Sequence, residues 1–476
     1  MTKYFSPWIL LLLLSCSASD GDQQTQSLEV RIARIENGLM PGLHIKGRDT
    51  ATYNITERLE ELNIPGLSVA FAANGEVEWS KAYGMADTAG DRPMETNTML
   101  LAGSISKPVA ALRAHQLVEA GSFDLDENIN TYLSSWQVPD NEFTKDEKVT
   151  IRRILNHTAG LTVWGFPGYD DGDSIPNVVE VLDGQGNTEP VRVFKQPGES
   201  WLYSGGGYTI MQLAITENDG ISFPDTMQKN VLSRLNMTHS TFENPLPSQY
   251  HAIAATGYRS NGDEVEGKWP IYPEMAAAGL WTTPGELIQY AIEAQEILQT
   301  RRDDILEYET VVEMLTPGMN DHGLGPSVAE YTFGHGGADE GFRARLVAWK
   351  DKPYAAVVMV NSDNGRIIQE LLLSIANEYD LPGIEQTVRE PIELTAGELQ
   401  KYVGRFRFED LETCDLELTG DRLILTAEFM GDPIWLIPQS TTQFFDSESG
   451  MLVDFDVVEN DVVSLTLGGY LAERIE

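Results

Sequence analysis

Strand-forming runs lie at both ends of a long helix-rich stretch, and this arrangement constrains the fold more than any other feature of the sequence. The first pair of runs lies within 67–79 and meets at Asn74-Gly75, a dipeptide that favours a tight hairpin because both turn residues need a positive φ. The second pair lies within 343–360. The simplest assembly brings these runs into one antiparallel sheet with helices packed beside it. The sequence therefore predicts an α+β fold.

Helical signals fill the stretch between the two strand pairs. Apolar periodicity begins near Ser104 and ends at Gly121, a residue type that favours a helix C-terminus. Thr150 is placed to cap a short helix over 151–156, because its hydroxyl can accept from a free backbone N–H. The segment 283–286 reads Thr-Pro-Gly-Glu, which predicts a capping box with proline at the first helical position.

The pattern changes after about residue 385. Short alternating runs within 416–426 and 457–467 each surround a turn signal, which is typical of hairpins in a small barrel or sandwich. No cluster of catalytic residue types occurs in this tail. We therefore expect a small all-β domain over 395–476 with a structural or substrate-limiting role.

The N-terminus has the features of an export signal. Lys3 supplies a positive charge, and the apolar run over 8–14 is of signal-peptide length and too short to span a bilayer. Residues 13–16 resemble a bacterial lipoprotein box, which implies cleavage before Cys16 and lipidation of that residue. A simple secretory signal cut within 17–19 is the alternative. Both interpretations predict an exported protein, and the first predicts a periplasmic one anchored to a bacterial membrane.

The charge balance excludes one broad class of partner. Asp and Glu number 73 and Lys and Arg 33, for a formal net charge of −40, which repels nucleic-acid phosphates and anionic lipid surfaces. We expect no nucleic-acid partner, and membrane contact only through a lipid on Cys16. The two cysteines, Cys16 and Cys414, cannot build a disulfide framework or a cysteine zinc site. Cys414 is expected to be a buried small hydrophobe.

A Ser-x-x-Lys motif at Ser104 and Lys107 is the first candidate for chemistry. If Ser104 opens a helix, Lys107 lies one turn later on the same face, with Cβ atoms about 5–6 Å apart. A lysine held close and desolvated can lose its proton near neutral pH and activate the hydroxyl. The helix N-terminus would also leave the Ser104 amide free for an oxyanion. Alone, the motif is weak, because a helix cap followed by a surface lysine has the same pattern.

Two later motifs support a catalytic interpretation of the Ser-x-x-Lys motif. Tyr203 precedes a glycine run at 205–207, which suits a phenol that projects into a cleft where backbones approach closely. The segment 335–338 reads His-Gly-Gly-Ala and directly precedes the second strand pair. We expect it to form a sheet edge whose amides face a ligand.

In this order the motifs resemble those of the serine β-lactamase-like family, which comprises class C β-lactamases, D-aminopeptidases, penicillin-binding carboxypeptidases and related esterases. The resemblance covers about residues 50–380 and includes the segments 156–161 and 277–284. It implies a serine hydrolase with the β-lactamase/DD-peptidase-like fold, in which helices and an all-helical region flank an antiparallel sheet. The tail resembles the small β-domain often appended to such enzymes.

With this resemblance, the chain divides into four segments. They are a lipoprotein-type signal segment at 1–16, a tether and lead-in at 17–50, a catalytic domain at 51–385, and a β-barrel-like domain at 395–476. The oligomeric state is left open.

The resemblance also implies roles for individual residues. Ser104 is the nucleophile that forms an acyl-enzyme, and Lys107 is its proton partner. Tyr203 stands where the family's Tyr-x-Asn tyrosine acts as general base and acid, and His335 where other members have the lysine of Lys-Thr-Gly. The amides of Ser104 and Ala338 form the oxyanion hole.

Substrate contacts are expected from Gly205, Gly336, Gly337 and Trp164, although core packing is an equal alternative for Trp164. Gly205 occupies the family's asparagine position, and His335 removes a fixed positive charge unless it is protonated. Both departures weaken a prediction of class C-like β-lactamase activity. They leave an esterase or D-amino-acid peptidase as the preferred prediction, with a penicillin-binding sensor that acylates without turnover as another alternative.

Other chemistries find little support in the sequence. It contains no His-Glu-x-x-His, so zinc catalysis, a metal and a cofactor are not expected. His157 is interpreted as a structural residue, and His322 lies in a glycine-rich loop without an evident metal partner. Ser104 is not within Gly-x-Ser-x-Gly, which argues against an α/β-hydrolase. The expected partner is a small-molecule or peptide acyl substrate.

Overall fold

The computed structural model describes residues 20–408, 413–427 and 433–475, with side chains from residue 28 onward. The predicted lipidation site Cys16 and the signal segment 1–16 lie outside these residues. A large helix-and-sheet body is followed by a β-barrel. None of the helices described is both long and apolar enough to cross a membrane.

A seven-stranded sheet forms the centre of the larger body. The strands of this body are β1 Leu43–Ile45, β2 Gly66–Ala73, β3 Glu76–Asp87, β4 Arg92–Pro93, β5 Leu100–Leu101, β6 Trp281–Thr282, β7 Ser327–Val328, β8 Thr332–Asp339, β9 Phe342–Trp349, β10 Tyr354–Val360 and β11 Thr387–Arg389. The sheet order is β4-β3-β2-β10-β9-β8-β7, and each neighbouring pair is antiparallel. Outside it, β1 pairs with β11 and β5 with β6.

Both predicted strand pairs are hairpins, and they meet in the middle of this sheet. β2 and β3 turn at Asn74 and Gly75, whose φ values are 56° and 82°. β9 and β10 form the second hairpin, and β10 pairs with β2. The predicted antiparallel sheet is therefore confirmed.

Helices cover the sheet and fill the stretch between the hairpins. They are α1 Asp20–Glu36, α2 Ile55–Glu61, α3 Ser106–Glu119, α4 Ile151–Leu155, α5 Val178–Leu182, α6 Gly205–Asp219, α7 Phe223–Met227, α8 Met275–Ala278, α9 Pro284–Thr300, α10 Tyr308–Met314, α11 Arg366–Tyr379 and α12 Ala396–Leu399. Short 3₁₀ segments lie at Gly103–Ile105, Ile129–Tyr132, Glu142–Thr144, Ser248–Tyr250, Glu266–Lys268, Met319–Asp321 and Gln400–Tyr402, and one π-helical turn at Gln228–Leu232.

β2 is buried along its whole length because its side chains alternate between two apolar cores. Ala70 and Ala72 face the core that also contains α3, α6 and α9. Val69 and Phe71 face the second core, on the side of α2 and α11. The sheet is thus covered by helices on both faces, which is the layered arrangement expected of this α+β fold.

The segment 17–50 was expected to be a tether and lead-in, but much of it is ordered secondary structure. α1 packs on α11, where Ile32 and Ile35 are buried in the second core. The Arg34 guanidinium pairs with Glu378 at the same contact. Two buried isoleucines are too few to give a clear periodic signal, so tertiary packing rather than local pattern holds this helix.

The predicted cap at Thr150 is confirmed, whereas the capping box predicted over 283–286 forms only its first hydrogen bond. The Thr150 hydroxyl accepts from the Arg153 N–H at the start of α4. The Thr283 hydroxyl accepts from the Glu286 N–H at the start of α9. The Glu286 carboxylate, however, accepts from the His239 amide and the Ser240 hydroxyl instead of closing a capping box.

The C-terminal strands form a closed barrel, as the hairpin pattern predicted. They are β12 Gly404–Phe408, β13 Thr413–Thr419, β14 Arg422–Ala427, β15 Ile434–Pro438, β16 Gln443–Asp446, β17 Leu452–Val458, β18 Asp461–Leu467 and β19 Tyr470–Arg474. β12 pairs with β19 to close the ring. Cys414 is buried in the barrel core as expected, and burial raises the pKa of its thiol to about 11.

Candidate active site

Ser104 lies in the 3₁₀ turn that leads into α3, rather than at the first residue of the α-helix. Gly103 adopts a φ of +54°, and a Cβ there would lie 2.5 Å from the Ala338 nitrogen, so the turn presses directly on β8. The Ser106 hydroxyl donates to the Gly103 carbonyl at 2.6 Å and accepts from the Leu280 N–H at 3.0 Å. These bonds fix the backbone that presents Ser104.

Lys107 lies one turn further on and reaches back to the serine. Its Nζ is 2.9 Å from the Ser104 Oγ and 2.9 Å from the Ala277 carbonyl oxygen. The side chain is buried, and its nitrogen lies 4.9 Å from the centre of the Tyr203 ring. A nitrogen in this position is within reach of the hydroxyl proton, which is the geometric requirement for a general base.

Tyr203 is held between α6 and a buried histidine. Ser204 caps α6, with its hydroxyl accepting from the Gly207 N–H at 3.1 Å. The Ser204 N–H donates to the Nδ1 of His157 at 3.2 Å, and the His157 and Tyr203 rings lie 4.2 Å apart. His157 therefore positions the tyrosine, which agrees with its interpretation as a structural residue.

The segment 335–338 forms part of an exposed sheet edge. β7 pairs only with Phe333 and Gly334 of β8, so the strand beyond them has no partner on that side. A Cβ on Gly337 would lie 1.9 Å from the Ala102 carbonyl oxygen, and glycine is therefore required there. The glycines let the strand approach the Ser104 turn closely, which places the Ala338 backbone beside the serine.

A cavity of about 610 Å³ opens at this edge, a size typical of small-molecule sites. Six residues expected in the site line it: Ser104, Tyr203, His335, Gly336, Gly337 and Ala338. The other lining residues come from β9 and from the start of α11: Arg343, Ala344, Arg345, Gly365, Ile368 and Gln369. Lys107 lies beneath the cavity, within hydrogen-bonding distance of Ser104.

The structure does not bring Gly205 or Trp164 to this cavity. Gly205 begins α6, and a Cβ there would meet the Phe166 ring at 2.9 Å. Val163 has a positive φ of 61°, and the following Trp164 side chain is 78% exposed. Their contact with each other is a backbone bond from the Gly205 N–H to the Trp164 carbonyl. Both expected substrate contacts are therefore displaced from the observed cavity.

Two arginines that the sequence analysis missed form one wall of the cavity. Arg343 and Arg345 are the β9 partners of Ala338 and Gly336 across the sheet. Arg343 pairs with Asp363 at 2.9 Å. Arg345 has no hydrogen-bond or ion-pair partner among the described residues, and its Nη1 lies over Gly336. No acidic side chain is among the residues that line the cavity, although the chain carries a net charge of −40.

Three buried histidines converge beneath the site. One ring nitrogen of each of His157, His322 and His335 lies within 4.8 Å of the others, so the expectation that His322 has no possible partner in a metal site was wrong. Burial lowers the pKa of His335 to about 3 and of His322 to about 4, and that of His157 well below its usual range. His335 is consequently neutral at pH 7 and supplies no fixed positive charge.

Two buried carboxyl groups lie behind the oxyanion region. Burial raises the pKa of Asp339 to about 8 and of Glu274 to about 7. Within the described part of the chain, neither Glu274 carboxylate oxygen has a hydrogen-bond partner, and the same is true of one Asp339 oxygen. Asp339 follows Ala338 directly, so its carboxyl group adjoins the backbone that lines the cavity.

Comparison with known proteins places this geometry in a family. The family model described as Beta-lactamase matches residues 52–375. Penicillin-binding protein 4* of Bacillus subtilis is 22% identical over 84% of this chain and 92% of its own length. A penicillin-binding protein homologue from Pyrococcus abyssi, described as octameric, superposes with a TM-score of 0.61 at 22% identity, over 88% of this chain and 98% of that one.

A β-lactamase/D-alanine carboxypeptidase from Pseudomonas syringae superposes with a TM-score of 0.54 at 19% identity, over 67% of this chain and 96% of that one. At these identities the structural neighbours establish the fold, and the family model, which spans most of the chain, establishes membership. The chain belongs to the Beta-lactamase family, and it is a serine hydrolase with a β-lactamase/transpeptidase-like fold and a C-terminal β-barrel.

Proposed function

We propose that this protein hydrolyses an ester or amide bond through an acyl-enzyme on Ser104, and that its preferred substrates are short peptides or esters with a carboxylate near the scissile bond, as in a D-amino-acid peptidase. The observation that carries this proposal is the 2.9 Å contact from the Lys107 Nζ to the Ser104 Oγ at a cavity with an unpartnered arginine.

The proposed reaction has two stages. The Ser104 oxygen attacks the carbonyl carbon while the Lys107 amine takes its proton, and the Ser104 and Ala338 amides bind the oxyanion. The carbon–leaving-group bond then breaks, and the leaving oxygen or nitrogen receives a proton, with Lys107 and Tyr203 as its source. Water next adds to the acyl carbon, loses a proton to the same pair, and releases the acid while Ser104 regains its hydrogen.

The cationic wall supports the preference for a carboxylate. Because His335 is neutral at pH 7, it does not replace the lysine of Lys-Thr-Gly as an anion partner. Arg345 lies across the strand from Gly336 and has a guanidinium available for a bidentate contact. The Pseudomonas syringae neighbour is described as a β-lactamase/D-alanine carboxypeptidase, and the peptides that a carboxypeptidase cleaves end in a free carboxylate.

A substrate panel tests the proposal. Short nitrophenyl esters, D-amino-acid anilides, peptides ending in a D-residue and nitrocefin would be compared on wild type, Ser104→Ala and the exposed control Ser260→Ala. We expect the D-terminal peptides to be preferred, and Ser104→Ala to lower turnover by about 10³-fold or more and abolish labelling by an acyl-serine probe. Unchanged turnover in Ser104→Ala would reject the proposal. One equivalent of acylation without steady turnover would favour a sensor, and rapid nitrocefin hydrolysis a β-lactamase.

We also propose that the chain is exported and lipid-anchored through Cys16. The support is the N-terminal sequence: a lysine at position 3, an apolar run and a cysteine in lipoprotein-like context. Expression in a bacterium followed by mass spectrometry of the mature N-terminus tests this, with Cys16→Ala as the comparison. A lipid-modified Cys16 is expected, whereas an unmodified N-terminus within 17–19 would indicate a simple secretory signal.

A further inference from the structure

The histidine cluster beneath the active site is formed by three separate elements. His157 follows α4, His322 follows the 3₁₀ segment Met319–Asp321, and His335 lies on β8. Their side chains are 1%, 3% and 6% exposed. The rings meet edge to face, with centroids 4.7 Å apart for His157 and His322 and 6.0 Å apart for His322 and His335. The fold thus gathers three imidazoles in one buried place.

The hydrogen bonds of these rings leave one nitrogen of each ring available, and one nitrogen of each ring lies within 4.8 Å of the others. The Nε2 atoms of His157 and His322 are buried and have no hydrogen-bond partner among the described residues. The His335 Nδ1 lies 2.6 Å from the Gly336 carbonyl oxygen, which fixes the proton on that nitrogen and leaves the Nε2 lone pair free. A histidine whose second nitrogen is held by a backbone carbonyl is the usual arrangement of a metal ligand.

We infer that the three histidines form a binding site for a divalent transition metal such as Zn²⁺, and that occupancy of this site inhibits acylation of Ser104. Three imidazole nitrogens form a known zinc donor set that leaves a fourth position open. Zinc–nitrogen bonds of about 2.0–2.1 Å place tetrahedral ligand nitrogens about 3.4 Å apart. The upper limit of 4.8 Å between the nitrogens is within reach of small ring rotations.

The inhibition follows from the tautomer of His157. Its Nδ1 accepts the Ser204 N–H at 3.2 Å, so in this arrangement the ring proton is on Nε2. A metal bound at Nε2 moves that proton to Nδ1 and breaks the bond to the Ser204 amide. Ser204 is the residue after Tyr203 and caps α6. Loss of its bond to His157 therefore removes one of the contacts that hold Tyr203 in position. This second part of the inference rests on the proposed function, whereas metal binding does not.

Metal binding is tested first by a signal that is independent of activity. Untagged protein stripped with a chelator would be titrated with CoCl₂, and we expect the visible bands of tetrahedral Co²⁺ to saturate at one equivalent. His322→Gln should weaken binding by more than the about 10–100-fold that loss of an outer-shell partner costs. The matched control is His239→Gln, since His239 is exposed and pairs with Glu286. Thermal unfolding of each variant checks its fold.

A second measurement does not depend on any variant. Anomalous scattering from crystals soaked in ZnCl₂ should place the metal among His157, His322 and His335. Absence of the cobalt bands, equal binding by His322→Gln and wild type, or an anomalous peak elsewhere would each overturn the site.

The inhibitory effect is tested by the rate of acyl-probe labelling. One equivalent of Zn²⁺ should slow labelling of wild type and of His239→Gln by about 10-fold or more, and that of His322→Gln much less. If cobalt binds at the cluster but labelling is unaffected, the inhibition is wrong and the site stands. If the acyl probe does not label Ser104 of wild type or of His239→Gln in metal-free buffer, the proposed function is wrong instead.

Discussion

The large body, which contains the active site, and the barrel differ in whether their buried polar side-chain atoms have hydrogen-bond partners. Among the described residues, the buried polar side-chain atoms without a partner all lie between Arg31 and Asn361. The barrel interior is filled by apolar and aromatic side chains such as Tyr402, Phe444 and Phe455, whose rings pack edge to face. Unsatisfied buried groups are costly and persist where function needs them. From this comparison we predict that the chemistry belongs to the body and that the barrel core contributes to stability.

Among the changes that test this contrast, loss of the buried Lys107 amine should have the largest effect, and the quantity it changes is the rate of acylation. Lys107→Met keeps the unbranched apolar stem of the side chain and removes the amine that contacts the Ser104 Oγ, so acylation should fall by about 10³-fold, within the range for general-base catalysis. Stopped-flow labelling measures the rate. Lys148→Met is the control, because Lys148 is exposed and pairs with Asp140. A rate near that of wild type would contradict the role of Lys107.

A substitution in the barrel core should lower the stability of the protein and leave its catalytic rate unchanged. Phe455→Ala removes a buried ring from the aromatic cluster and should lower the free energy of unfolding by about 3–5 kcal/mol, while kcat of the folded enzyme stays unchanged. Denaturant unfolding and steady-state kinetics below the transition measure the two quantities. A fall in kcat at full folding would show that the barrel takes part in catalysis.

A smaller effect is expected from the cationic wall. Arg345→Met should lower kcat/KM for carboxylate-bearing substrates by about 10–100-fold, because a hydrogen-bonded charge contributes about 1.5–3 kcal/mol. Neutral nitrophenyl esters should be hardly affected, which separates recognition from general damage. The exposed barrel residue Arg422 provides the control Arg422→Met. Equal losses for charged and neutral substrates would argue against carboxylate binding.

The smallest effect concerns pH. Asp339 and Glu274 have raised pKa values in the folded protein, so at these two groups the folded state binds more protons than the unfolded one, from about pH 4–5 up to their folded pKa values. The free energy of unfolding should therefore fall as the pH rises towards 8, by at most about 1.4 kcal/mol per pH unit and group.

Urea unfolding at pH 7 and pH 9 measures this slope above the range in which the histidines titrate. Asp339→Asn and Glu274→Gln should each reduce the slope, whereas the exposed control Glu448→Gln should leave it as in wild type. Identical slopes in all four proteins would mean that both carboxyl groups are ionised in the folded state at pH 7.

The sequence was informative where the relevant contacts are local. Asn74-Gly75 predicts its hairpin from two residues, and the spacing of Ser104 and Lys107 predicts a contact within one helical turn. Arg345 could not be found in this way, since its place in the cavity depends on its register opposite Gly336, which the sequence does not specify. The same holds for His157 and His322, which come together only through tertiary folding.

The expectations that did not match depend on surroundings as well. Gly205 and Trp164 were placed by their position relative to a motif, but the left-handed Val163 turns the chain and Phe166 occupies the space beside the glycine. The segment 17–50 was expected to be a tether and lead-in, whereas Ile32 and Ile35 are buried where α1 packs on α11. Local pattern gives the elements, and long-range packing decides which side chains meet.

The pairing of β2 with β10 has a consequence for how this chain matures. Leu67 of β2 pairs with Val360 of β10, so the central sheet cannot close until residues 67 to 360 have all left the ribosome. Non-local pairing of this kind slows folding. Until β10 emerges, the nascent polypeptide has no complete central sheet, so the two apolar cores on either side of that sheet cannot form in full.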